Sequence, residues 1–106
     1  MRHKESLKIC RSILDESRSK YGRKDVRTIN AAEDVARIMV EFEWIEDGLD
    51  WYREVLNARK VVLGNWHSDT LRTVEEIARL LDLMGLHADA EKWRQETRQA
   101  NHPQVK

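Results

Sequence analysis

The chain has little of what staples, bends or anchors a fold. Cys10 is its only cysteine, so no internal disulfide can form and no CxxC pair is present to hold zinc. A free thiol of this kind fits a reducing compartment. One proline and four glycines leave few positions that interrupt a helix. Charge of one sign is not in excess: Lys+Arg and Asp+Glu are both 19. That balance argues against non-specific nucleic-acid binding and against a polybasic membrane anchor. No apolar run approaches the roughly 18 residues that span a bilayer. The opening M-R-H-K-E-S-L-K-I-C has no apolar core of the kind a secretory signal needs. These absences predict a soluble cytoplasmic protein with no nucleic-acid or membrane partner.

What is present is charge and apolar residues in nearly equal measure, 36% and 41% of 106 residues. The length suits one domain, and the mixture suits long solvated helices.

The stretch from Leu63 to Ala100 repeats an earlier part of the chain at a constant offset. Gly64 falls on Gly22, 42 positions earlier, and Thr70 falls on Thr28, Glu75 on Glu33, Ala78 on Ala36 and Arg79 on Arg37. The same offset carries Asp89 onto Asp47, Trp93 onto Trp51, Glu96 onto Glu54 and Ala100 onto Ala58. It is the length of a helical-hairpin repeat. It divides the chain into a half repeat at 5–21, repeats at 22–63 and 64–101, and a tail at 102–106.

Apolar spacing places the helices. Leu7, Ile9, Cys10, Ile13 and Leu14 predict a helix from about Glu5 to Lys20, ended at Tyr21-Gly22. Ala32, Val35, Ala36, Met39 and Phe42 predict one from about Asp25 or Val26 to Phe42. After a turn at Glu43-Trp44, Ile45, Leu49, Trp51, Tyr52, Val55 and Leu56 predict a third, to Val62. Gly48 within it points to close helix–helix approach, its counterpart being the small Ala90. Ser68 or Asp69 is expected to cap the fourth helix, which buries Val74, Ile77, Ala78, Leu81 and Met84. Gly85 turns the chain into a fifth helix from about His87 to Ala100. There Arg94, Thr97 and Arg98 replace Tyr52, Val55 and Leu56, the polar outer face expected of a terminal capping helix before Pro103.

The segments L-G-N-W-H-S-D-T-L, V-E-E-I-A-R-L-L and G-L-H-A-D-A-E-K-W-R resemble the tetratricopeptide repeat, in the longer variety found in kinesin light chains. The likeness covers essentially the whole chain, as about two and a half repeats. It implies an all-α fold: five helices in antiparallel pairs, forming a short right-handed α-solenoid. It also implies a concave groove, lined by the first helix of each repeat, that binds a peptide segment of a partner. On this chain the groove residues would be Asn30, Glu33, Asp34, Arg37 and Glu41, then Arg72, Glu75, Glu76, Arg79 and Asp82. Ser68 stands where the family has proline, and Glu33-Asp34 and Glu75-Glu76 stand where it has paired asparagines. An acidic pair accepts hydrogen bonds but cannot donate them.

The groove residues have a plainer reading as a solvated face, since Glu33–Arg37 and Glu75–Arg79 are i, i+4 pairs worth about 0.2–0.5 kcal/mol each. Trp51 and Trp93 share one repeat position and are read as helix packing. Trp66, in a loop, is either a partner anchor or a lid on the hairpin end. His67 is given a structural role at the helix start. No E-x-x-H or H-x-x-x-H pair and no GxSxG occurs, and Cys10 lies on an apolar face, so no metal, cofactor or catalytic group is expected.

The sequence therefore predicts a non-enzymatic adaptor or scaffold module that mildly favours a Lys- or Arg-bearing partner segment. The alternative is a structural piece that forms a homo-dimer, or stacks, through Leu7, Ile9 and Ile13 of the half repeat.

Overall fold

The computed structural model describes residues 2–101, with side chains described for 4–97. Five helices make it up: α1 (Arg2–Tyr21), α2 (Val26–Glu41), α3 (Ile45–Leu63), α4 (Ser68–Leu83) and α5 (His87–Asn101). Among the described residues there is no strand. The close backbone packing runs between helices adjacent in sequence, and side chains also bridge α1 and α3, where Arg18 lies over the Trp51 ring at 5.9 Å. The Cα trace spans 49 × 33 × 14 Å, a flat slab one helix pair deep. This is the expected all-α fold, a short helical repeat solenoid. The side chain of Arg98, the stop at Pro103 and the tail at 102–106 lie outside the described residues.

The helix ends follow from local chemistry that repeats at the 42-residue offset. The Asp25 carboxylate accepts from the Arg27 amide at 2.8 Å and caps α2. His67, its repeat counterpart, caps α4 by accepting the Asp69 amide at its Nδ1, 3.0 Å away. This corrects the expectation of a Ser68 or Asp69 cap. Both lie inside the helix, because the extended residue before the first turn is His67. The α2–α3 and α4–α5 turns need a left-handed residue. Gly85 supplies it at φ 82°, while Glu43 holds φ 69° despite its side chain.

Two apolar clusters form the core. Leu14, Ile29, Ala31, Ala32, Val35, Met39 and Val55 fill the space between α1, α2 and α3. Leu49, Tyr52, Leu56, Val74, Ile77, Ala78, Leu80, Leu81 and Ala90 fill the space from α3 to α5. Trp51 packs on both, and Trp93 packs on the second, as the repeat-position reading expects. Leu80, absent from the expected core, is completely buried. In α1 the expected face divides. Leu7 and Cys10 pack on the core and Leu14 is buried, but Ile9 and Ile13 are 59% and 49% exposed. The reason is that α1 packs along α2 with its Arg18 over Trp51 of α3, so a narrow stripe at 3- and 4-residue spacing suffices, and the isoleucines fall beside it.

Gly48 marks the tightest crossing. A Cβ there would lie 2.6 Å from Val40 Cγ2 and 3.2 Å from the Ala36 carbonyl oxygen. At the same position of the next repeat Ala90 is fully buried, and the counterpart of Val40 is Asp82, which has no β-branch. The glycine therefore answers to one methyl group on the neighbouring helix.

Candidate functional site

A buried cation organises the face on which the groove residues were expected. Arg59, near the end of α3, is 1% exposed. Its Nη2 donates to Glu33 Oε1 at 3.0 Å and to Asn30 Oδ1 at 3.1 Å, both on α2. Its Nη1 donates to the Thr73 hydroxyl of α4 at 2.7 Å and reaches Glu33 Oε2 at 3.4 Å. The Thr73 hydroxyl in turn donates to the Asp69 carbonyl at 2.8 Å. One planar guanidinium thus joins three helices, using the fork geometry that a lysine lacks. Asn30 and Glu33 are turned to Arg59, and this site was not anticipated. The counterparts of Arg59 are Ser17 and Asn101, so the repeat pattern carried no sign of it.

The expected i, i+4 pairs are replaced. With Glu33 engaged by Arg59, Arg37 donates to Asp34 at 3.0 Å, three residues back. In the next repeat Arg79 pairs with Glu76, again three residues back. Glu75 accepts instead from Arg94 Nε of α5, at 3.2 Å. The other end of Arg94 meets Asp82 at 2.7 Å, and the His87 ring contacts Asp82 Oδ1 at 2.8 Å. The bonds from His87 and Arg94 hold the Asp82 carboxyl below its usual range. Arg72 lies beside Asp69 at 3.5 Å, and Glu41 is exposed at the end of α2.

Between the two acid–arginine sets stands Tyr52, 3% exposed. Burial pushes its hydroxyl up to about 12, with the charges of Glu76 and Glu33 adding to the rise and Arg37 and Arg79 opposing it. The charges of four expected groove residues, two on α2 and two on α4, thus act on one phenol. Burial, with Asp34 nearby, also raises the Cys10 thiol, which stays protonated at neutral pH.

Trp66 is 55% exposed on the rim of a cavity of about 350 Å3 that Leu71, Val74, Trp93, Lys60 and Glu96 also line. A cavity of about 280 Å3 occupies the same place one repeat earlier, with Arg18, Ile29, Ala32 and Glu54 at the positions of Lys60, Leu71, Val74 and Glu96. These are the seams between successive hairpins. Among the described residues no group of three or more His, Cys, Asp or Glu side chains could hold a metal ion. No helix among them is long and apolar enough to cross a membrane.

Face and fold together define an all-α helical repeat fold carrying a mixed-charge polar surface. No known protein-family model matches this chain, and no curated protein matches it.

Proposed function

We propose that the chain is a tetratricopeptide-type module of the kinesin-light-chain-like variety, a cytoplasmic, non-enzymatic adaptor that binds a peptide segment of a protein partner along the α2–α4 face. The observation that carries this reading is the matching pair of acid–arginine sets on the two first helices, Arg37 with Asp34 on α2 and Arg79 with Glu76 on α4. That face offers an extended segment alternating donors and acceptors on a rigid support. Its expected carboxylates (Glu33, Asp34, Glu41, Glu75, Glu76 and Asp82) slightly outnumber the arginines at 37, 59, 72, 79 and 94. The small surplus favours a segment bearing Lys or Arg.

The test is affinity capture from native lysate with wild type against a Glu75→Lys/Glu76→Lys variant. Glu33 is unsuitable for reversal, because a cation there would face Arg59. A partner retained by wild type and lost by the folded variant supports the groove. The same partners on both baits would remove it.

A second reading has its own observation. Ile9 and Ile13 are exposed on the free side of α1. They suit a self-associating structural piece that pairs through the half repeat, whereas Leu7 is packed inward and contributes less. Substituting serine for both isoleucines would abolish a concentration-dependent dimer of that kind.

A further inference from the structure

Charge is zero in sum but unevenly placed. Residues 41–50 and 82–91, which include the α2–α3 and α4–α5 turns, carry eight carboxylates and no lysine or arginine. The two turns meet, because Met84 shares a cavity of about 460 Å3 with Glu43, Trp44, Glu46 and Asp47. Glu43, Glu46, Asp47 and Asp89 make no ion pair with another described residue. This edge is also apolar. Trp44, Leu83 and Leu86 are 45%, 61% and 43% exposed. Trp44 is stacked on Phe42, ring centroids 4.8 Å apart, and so presents a fixed surface.

The opposite edge is its complement. Residues 18–27, where α1 passes into α2, hold five basic residues and one acid. Arg23 and Lys24 make no ion pair with another described residue, and Tyr21 and Val26 are 42% and 44% exposed. Arg27, bound to Asp25 at 2.9 Å, lies over the Tyr21 ring at 3.5 Å and holds it outward. A helix of this length separates the edges by roughly 25–30 Å. That is two to three Debye lengths at 0.1 M salt, so the poles do not cancel within one molecule. Lys4 and Lys8, at the start of α1, stand at the same edge, so the acidic surface is that of the α2–α3 and α4–α5 turns themselves. Zero net charge leaves no overall repulsion between copies.

We propose that the acidic turn edge of one copy binds the basic α1–α2 connection of a second copy. Trp44 and Leu86 receive Tyr21 and Val26, while Arg23 and Lys24 meet Glu43, Glu46 and Asp47. The two surfaces differ, so each newly bound copy offers one free edge and the contact propagates head to tail, as an open chain unless the rotation between copies closes it into a ring. The contact uses neither the α2–α4 face nor the exposed isoleucines of α1.

The test is sedimentation velocity across a concentration series, at about 20 mM and about 500 mM salt, where screening lengths differ several-fold. Wild type should sediment faster with rising concentration at low salt and stay monomeric at high salt. Glu43→Lys/Glu46→Lys and Arg23→Glu/Lys24→Glu, each checked for helicity, should weaken association about tenfold or more when alone. An equimolar mixture of the two should associate again, since their reversed edges complement each other. If either loses helicity, Glu46→Gln and Lys24→Gln carry the same comparison with a smaller loss. Ile9→Ser/Ile13→Ser should associate like wild type. A wild type that is monomeric at every concentration in low salt overturns the proposal. So does association that survives both reversals, or that only the isoleucine variant loses.

Discussion

The Arg59 guanidinium lies 3.0 Å from the Glu33 carboxylate across the α2–α3 interface, and its other nitrogen lies 2.7 Å from the Thr73 hydroxyl of α4. Removing the cation leaves a carboxylate, an amide and a hydroxyl turned toward an empty space. Arg59→Ala should therefore cost about 3–5 kcal/mol in urea unfolding. Arg59→Lys should recover little, since an ammonium cannot span acceptors on two helices. Arg59→Met with Glu33→Leu should recover most of it, because an apolar pair carries no uncompensated charge.

Gly48 and Val40 should show strong coupling. Gly48→Ala gains about 1 kcal/mol of helix propensity. It also sets a methyl 2.6 Å from Val40 Cγ2, so the variant should be less stable than wild type by about 1–3 kcal/mol. Val40→Ala in the same chain should return part of that loss, and a double-mutant cycle by thermal melting measures the coupling.

Tyr52 predicts the alkaline behaviour. Its folded value near 12 lies above the ordinary 10, so the folded state holds the proton more tightly. The stabilisation is complete below pH 10 and is lost as the pH rises toward 12. Tyr52→Phe should leave neutral-pH stability within about 0.5 kcal/mol. It should also flatten the decline in unfolding midpoint above pH 10.

Glu43 occupies a left-handed conformation at φ 69° where the next repeat has glycine. Glu43→Gly should raise stability by about 1 kcal/mol in calorimetry. Gly85→Glu, forced into the same conformation, should lower it by a similar amount.

Much of the architecture is legible because helical repeats write their packing into local spacing. The 42-residue offset places all five helices, and Gly48, Trp51 and Trp93 take their packing roles. The candidate face is less legible. Glu33 and Arg37 have the spacing of a helical ion pair, but a buried guanidinium 26 residues away outcompetes an exposed one four residues away. Arg94 of α5 likewise takes Glu75 in place of Arg79, across an exposed helix–helix boundary. Such choices depend on which cations the neighbouring helices bring within reach, and no sequence period encodes that. The exposure of Ile9 and Ile13, as against the burial of Leu14 on the same helix, has a simpler reason. Apolar spacing shows that a face exists, while its width depends on how many helices stand beside it.

Because the close backbone packing runs between helices adjacent in sequence, the slab should respond to tension as a strip of hinges. Pulled from its two ends, it should shed the terminal helices α1 and α5 first. Resistance should then gather in the middle until Arg59 is drawn from Asn30, Glu33 and Thr73. In a force–extension trace this would appear as two low steps followed by one high step.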